Sequence, residues 1–195
     1  MSWIVPPGPV GTHLKIGLLG GSFNPAHDGH RYVSDVARKS LGLNAVWWLV
    51  TPGNPLKRSS ELADMLLRIG QARQVAGRGD IVTGIEGRFG TRYTVDTLRA
   101  LRRRFPKTRF VWVMGSDNLA SFGRWKDWAA IARAVPIVVV RRPGTALDTL
   151  KSALMRRFGL SSRLAAPPCI VVLDGPRSPQ SSTAIRTALE PRLPA

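Results

Sequence analysis

The chain has 195 residues, enough for one domain with a substantial core and tight for two. Hydrophobic residues at 44% and charged residues at 21% exclude wholesale disorder, and the single cysteine, Cys169, excludes an internal disulfide framework or a cysteine-rich zinc site. The formal net charge is +17, from 29 basic residues, of which only Lys15, Lys39, Lys57, Lys107, Lys126 and Lys151 are lysines, against 12 acidic ones. That balance suits polyanionic ligands, either nucleotides or nucleic acid, and equally an arginine-rich solvated surface.

Residues 1–12 are rich in Pro and Gly without periodicity and are expected to form a loose leader ahead of a single domain over 13–195. The N-terminus has no basic stretch followed by an apolar one, and no apolar run approaches the ~20 residues of a bilayer span. A cytoplasmic protein without membrane contact is expected. Strands are predicted at Lys15–Leu19, Ala45–Thr51, Asp80–Thr83, Arg109–Met114, Pro136–Val140 and Cys169–Leu173. Helices are predicted at Gly29–Leu41, Ser60–Ala76, Thr94–Phe105, Trp125–Ala134, Asp148–Phe158 and Ser182–Glu190, with Ser60-Glu61 and Thr94 with Asp96 as opening signals. Phe110–Met114 and Ile137–Val140 are apolar on both parities, the pattern of strands buried on both faces. Strand–helix alternation along the whole chain implies an α/β fold, an open doubly wound parallel sheet with helices on both faces. Ligands of such sheets sit outside the carboxyl ends of the strands. Chemistry is therefore sought in the turn after each strand.

The first turn is Gly20-Gly21-Ser22-Phe23-Asn24-Pro25-Ala26-His27-Asp28-Gly29-His30. A glycine pair after a strand permits a tight turn and close approach to a ligand. The following helix presents unpaired N–H groups there, and two imidazoles three residues apart complete a phosphate cradle. Neither G-x-G-x-x-G nor G-x-x-x-x-G-K-[ST] is present. A metal pair is the alternative reading of His27 and His30 together, and a satisfied core histidine that of His30. No third metal ligand is evident, so no metal site on the chain itself is expected.

Later turns carry similar chemistry. Thr51-Pro52-Gly53-Asn54-Pro55-Leu56-Lys57 places a lysine on a loop that can fold over a phosphate, or simply be solvated. Arg92-Tyr93-Thr94 offers N–H groups and a hydroxyl to an anion at a helix start, or a plain cap. Gly115 and Asp117 follow the fourth strand, where a carboxylate can accept hydrogen bonds from ribose and a glycine allows close approach. Trp125 is a candidate stacking plate, whereas Trp47, Trp48 and Trp128 read as core. Arg141-Arg142-Pro143-Gly144 is a second-tier phosphate candidate. Ser181-Ser182-Thr183-Ala184-Ile185-Arg186 opens the last predicted helix with hydroxyls, N–H groups and a guanidinium one turn on, a second phosphate site or an ordinary cap.

GGSFNPAHDGH resembles the (H/T)-x-G-H signature of the nucleotidylyltransferase superfamily, and more narrowly the G-G-[ST]-F-[ND]-P-x-H-x-G-H of bacterial nicotinate-nucleotide adenylyltransferases. The resemblance extends over about residues 14–190, through Tyr93-Thr94, Gly115-Ser116-Asp117, Trp125, Arg141–Gly144 and Ser182–Arg186. Leu56, Arg92 and Gln180 depart from it: His, Ser and Ile are usual there. It implies a Rossmann-like fold and transfer of AMP from ATP to nicotinate mononucleotide, giving deamido-NAD and pyrophosphate. His27, His30, Lys57 and Arg186 would then be catalytic. Gly21, Ser22, Phe23, Gly115, Asp117, Ser182 and Thr183 would bind ATP. Asn24, Thr94 and Trp125 would bind nicotinate mononucleotide, and Mg²⁺ would accompany ATP. The partners expected are these two small molecules, with no nucleic acid and no membrane, on a monomer or homodimer.

No Ser/His/Asp or Cys/His nucleophile arrangement stands out, which fits direct attack by an already ionised phosphate on ATP, helped by positioning and electrostatics. Two other readings compete. One keeps the fold with 4′-phosphopantetheine or nicotinamide mononucleotide as acceptor; the other is a basic nucleic-acid-binding module, for which the sequence holds no recognisable motif.

Overall fold

The computed structural model describes residues 5–53, 63–141 and 152–175. Six strands form one parallel sheet: β1 (Lys15–Gly21), β2 (Ala45–Val50), β3 (Asp80–Thr83), β4 (Arg109–Gly115), β5 (Ile137–Val140) and β6 (Ile170–Leu173), in the order β3-β2-β1-β4-β5-β6. All six lie within a residue or two of their predicted bounds. The chain builds outward from β1 through β2 to β3, then returns to lay β4 on the other side of β1. The strand order therefore reverses between β1 and β4. The crevice at their carboxyl ends is the topological switch point, where sheets of this kind bind ligands.

The apolar parity of the strands builds two cores. Alternate side chains point to opposite faces. Trp47 and Leu49 of β2 join Ile16, Leu18, Phe110, Trp112 and Met114 on one face, while Val46, Trp48 and Val50 join Val111, Val113 and Val138 on the other. The second face is covered by α1 (Asp28–Leu41), through Val33 and Ala37, and by α2 (Met65–Val75), through Ala72. The first is covered by α3 (Ile85–Phe89), α4 (Thr94–Arg104), α5 (Leu119–Phe122), α6 (Trp128–Ala134) and α7 (Ala153–Phe158). Helices on both faces of an open parallel sheet give the expected Rossmann-like α/β fold. Among the described residues no helix is long and apolar enough to cross a membrane.

The differences from the sequence reading have local causes. The second helix starts at Met65, capped by Asp64, whose carboxylate accepts from the Leu66 and Leu67 N–H groups; Ser60 and Glu61 lie outside the described residues. Helix α6 starts at Trp128 rather than Trp125, because Asp127 is left-handed with φ 47° and breaks the helical run. Helix α4 starts as expected, but its cap is Tyr93, without a side-chain hydrogen bond, and not Thr94 with Asp96. Helix α7 starts at Ala153 under a Ser152 cap; residues 148–151, where it was expected to begin, and the predicted helix Ser182–Glu190 lie outside the described residues. The single-turn helices α3 and α5 and the 3-10 turn Ser116–Asn118 were not predicted.

The loose-leader reading also needs correction over residues 8–11. A Cβ on Gly8 would lie 2.2 Å from the Ile81 side chain and 3.1 Å from the Trp47 indole nitrogen, so the backbone passes close over β3 and β2. The Gly11 N–H donates to the Thr108 hydroxyl at 3.0 Å, and Val10 packs on the first core. Glycine produces no apolar period, yet it is what allows this close docking.

Candidate active site

The turn after β1 is built by glycine, strain and stacking. Gly20 faces the Trp112 ring so closely that a Cβ there would lie 2.5 Å from it. Phe23 takes a left-handed backbone, φ 47°, which costs a non-glycine residue roughly 1–2 kcal/mol. Burial of its ring against Trp48, nearly parallel at 5.1 Å, offsets that strain.

His27 and His30 then open α1 by capping each other. His27 is the N-cap, and its Nδ1 accepts from the Gly29 N–H at 3.0 Å. His30 is three residues on, and its Nδ1 accepts from the His27 N–H at 3.3 Å. This is the reciprocal geometry of a capping box, with imidazoles in place of the usual Ser and Glu. A neutral imidazole that accepts at Nδ1 carries its proton on Nε2. Each ring therefore presents an N–H donor on the side away from the cap. The ring centroids lie 3.9 Å apart; His27 is buried and His30 half-buried, tilted against Phe23 at 4.8 Å. The Gly29 and His30 N–H groups of this first turn are bonded to His27, so the unpaired N–H groups expected here are spent in the cap. It is the Nε2–H groups of the rings, with the positive helix end, that make the carboxyl end of β1 receptive to an anion.

The same crevice receives β4. Gly115 and Ser116 are buried, and Asp117 is exposed in the 3-10 turn that follows. Trp112 connects this strand to the next candidates: its ring lies under Gly20 and meets Trp125 edge-on at 6.0 Å. Trp125 is half-buried, with Phe122 at 5.1 Å. Its neighbour Lys126 bonds Asp96 at 3.1 Å and sits 4.5 Å from the centre of the Tyr93 ring. That pair of contacts ties the Trp125 turn to the start of α4, where Thr94 is half-buried. The two segments singled out for a pyridine nucleotide thus lie together. Asn24 sits in the opening turn, and its side-chain oxygen accepts from the Ala63 N–H at 3.3 Å. At the far edge of the crevice Arg141 pairs with Asp174 at 3.2 Å. Lys57, Ser182, Thr183 and Arg186, with Arg142–Gly144, lie outside the described residues.

Two buried charged residues escaped the sequence reading. Arg68 of α2 is 1% exposed and spreads over three backbone carbonyls, those of Ser22, Thr51 and Ala63. Burial works against its charge, and Asp64 partly restores it. Glu86 of α3 is 5% exposed and accepts from the Thr97 hydroxyl at 2.9 Å, which itself lies 2.9 Å from the Thr91 hydroxyl. Glu86 thereby pins the turn that leads into α4. Neither residue follows a glycine-rich turn or a cap pattern, so the sequence carried no signal for them.

Burial raises the Glu86 carboxyl above the ordinary carboxylate range, against the lowering effect of its hydroxyl partners. A carboxyl whose folded value is raised favours the folded state when protonated. Its contribution is full below the unfolded value and is lost as pH rises through the folded one. Glu86→Gln keeps an acceptor for Thr97 and removes the titration. Relative to the wild type, the variant is expected to gain stability as pH rises from the unfolded Glu range through the raised one, as read by urea unfolding at a series of pH values. A difference independent of pH would contradict the buried placement.

A parallel sheet reversing at a glycine turn capped by two histidines is the architecture of an α/β enzyme that handles nucleotides. The cytidylyltransferase-like family model matches residues 18–188. A protein of Erythrobacter litoralis named "Probable nicotinate-nucleotide adenylyltransferase" is 50% identical over 186 residues, covering 90% of this chain and 84% of its own. A protein of Parvibaculum lavamentivorans with the same name is 48% identical over 183 residues, covering 89% and 91%. Among solved structures, nicotinic acid mononucleotide adenylyltransferase of Plasmodium falciparum, complexed with NaAD, superposes with a TM-score of 0.68 at 18% identity, covering 90% of this chain and 83% of that one. The chain belongs to the cytidylyltransferase-like nucleotidyltransferases and, within them, to the bacterial nicotinate-nucleotide adenylyltransferase family.

Proposed function

We propose that this enzyme transfers AMP from MgATP to nicotinate mononucleotide, giving deamido-NAD and pyrophosphate in NAD biosynthesis. The observation that supports it most is that Lys126 ties the Trp125 turn to Asp96 and Tyr93 at the start of α4, while Trp112 packs between Trp125 and Gly20 at the carboxyl end of β1, the strand that leads into the histidine-capped turn. An aromatic plate, a helix start suited to a carboxylate and an anion-receptive turn are what a pyridine acid nucleotide and a triphosphate require.

In this reading the 5′-phosphate of the mononucleotide, ionised at pH 7, attacks the α-phosphorus of ATP in line. A bond forms from its oxygen to the α-phosphorus. The bond from that phosphorus to the bridging oxygen breaks, and the electron pair leaves with pyrophosphate. No proton must be removed and no covalent enzyme intermediate is formed. The Nε2–H groups of His27 and His30 donate to the triphosphate as charge builds on it, with Lys57 and Arg186 as further cations and Ser182 and Thr183 as donors. Backbone groups of Gly21, Ser22 and Phe23 line the phosphates. Gly115 and Asp117 hold the ATP ribose. Asn24, Thr94 and Trp125 hold the pyridine nucleotide. Among the described residues no three His, Cys, Asp or Glu side chains are grouped as metal ligands. Mg²⁺ in this reading is the counter-ion of the triphosphate and neutralises part of its charge.

The test is pyrophosphate release from MgATP with nicotinate mononucleotide, nicotinamide mononucleotide or 4′-phosphopantetheine. Turnover is expected to be highest with nicotinate mononucleotide. Trp125→Ala is expected to raise its KM about 10-fold, the loss of one stacked ring, and to leave the KM for ATP unchanged. Preference for 4′-phosphopantetheine would overturn the assignment.

A further inference from the structure

Arg68 does something the family resemblance does not assign. Its Nε donates to the Ala63 carbonyl at 2.8 Å, and its Nη1 donates to the Ser22 carbonyl at 2.8 Å and the Thr51 carbonyl at 2.9 Å. Thr51 is itself tied to the first turn, its N–H donating to the Gly21 carbonyl at 3.1 Å. One guanidinium therefore locks the segments that leave β1 and β2 to each other, just beyond the last rungs of the ladder. Among the described residues Arg68 makes no ion pair. Its donors are spent on backbone carbonyls, an arrangement that costs desolvation and gains position.

The Ser22 carbonyl belongs to the peptide that leads into Phe23, the residue with φ 47°. That peptide is trans and planar, so its N–H points opposite to its carbonyl. A guanidinium that draws the carbonyl toward α2 turns the Phe23 N–H away from α2. It also holds a left-handed backbone that a phenylalanine would otherwise leave. We propose that Arg68 is a positioning residue for the triphosphate: it fixes the Ser22–Phe23 peptide so that the Phe23 N–H is presented to the phosphates, without touching them itself. This rests on the reading of the β1 turn as the triphosphate site.

The test compares Arg68→Met and Arg68→Lys with the wild type. MgATP affinity is measured by calorimetry without an acceptor, KM and kcat with nicotinate mononucleotide, and Tm as a control. Arg68→Met is expected to weaken MgATP binding about 10-fold or more while the KM for nicotinate mononucleotide stays within about twofold. Arg68→Lys, with a single donor nitrogen in place of the planar guanidinium that holds the Ala63 carbonyl through Nε as well as the other two through Nη1, is expected to restore less than half of that loss on a logarithmic scale. A folded Arg68→Met protein with wild-type MgATP affinity would overturn the proposal. So would losses shared equally by both substrates in step with Tm. If Arg68→Met does not fold, the wild-type Phe23 amide is read by NMR. Its resonance is expected to shift, and its hydrogen exchange to slow, when MgATP is added, and no change would overturn the proposal. MgATP binding is read apart from turnover. A wild type that binds MgATP but does not use nicotinate mononucleotide would therefore refute the acceptor and leave Arg68 to stand or fall by its own measurement.

Discussion

His30→Ala is expected to lower turnover by about 10²-fold or more, the usual cost of losing one donor aimed at developing charge. The same substitution removes the acceptor of the His27 N–H. Its structural cost should therefore be that of a lost cap, about 1 kcal/mol. The two losses can be separated. Glutamine is the standard third residue of a capping box and can accept from the His27 N–H. His30→Gln should accordingly keep most of the stability, while its amide N–H₂, on a flexible chain, does not reproduce the position of the imidazole Nε2–H, so turnover should still fall. Urea unfolding and steady-state kinetics on both variants check this. Near-normal turnover in both variants would mean that the ring serves the helix and not the reaction.

The second large effect is expected at Gly20, in the middle of the sheet. β1 is hydrogen-bonded on both sides, with Gly20 opposite Leu49 of β2. A Cβ at Gly20 would lie 2.5 Å and 3.0 Å from two atoms of the Trp112 ring. That ring is 1% exposed and edge-on to Trp125, so it has nowhere to swing. Gly20→Ala is expected to destabilise the fold by about 1–3 kcal/mol through overpacking. Because Trp112 abuts Trp125, the KM for the pyridine nucleotide should rise as well. Gly70 is the control. It lies inside α2, where a Cβ would meet nothing within 4 Å, and Gly70→Ala should stabilise by up to about 1 kcal/mol through helix propensity. Equal urea midpoints for Gly20→Ala and wild type would contradict the packing of the crevice.

The sheet was legible because its strands are apolar on both parities. Ala45–Val50 and Ile137–Val140 are buried at every position and read as strands from composition alone. The long amphipathic helices α1 and α4 were legible for the same kind of reason, one apolar stripe repeated over several turns. Helices of four or five residues, α3 and α5, complete too few turns to show a period. Among candidate site residues, those in the turn after β1 were visible through their spacing, but the way His27 and His30 cap each other was not. Histidine is not a usual N-cap residue, so the pattern read as chemistry and concealed its structural half. Arg68 was invisible for a different reason. Within Leu66-Leu67-Arg68-Ile69 an arginine reads as a solvated residue, and its three acceptors lie on segments 5, 17 and 46 residues away. Glu86 was hidden likewise, since its partner Thr97 is 11 residues on. Much of the positive charge is on exposed or half-buried side chains, several of them paired, as Arg31 and Arg38 are with Asp35 and Arg99 with Asp96. Such pairs contribute little to stability.

The most direct measurement is a crystal structure of the enzyme with a non-hydrolysable ATP analogue and Mg²⁺. The expected result places the triphosphate at the carboxyl ends of β1 and β4, with phosphate oxygens within hydrogen-bonding distance of the Nε2 atoms of His27 and His30 and the ribose beside Asp117. A triphosphate bound elsewhere, with those two Nε2 atoms facing away from it, would contradict the idea that the histidine-capped turn is where the two nucleotides meet.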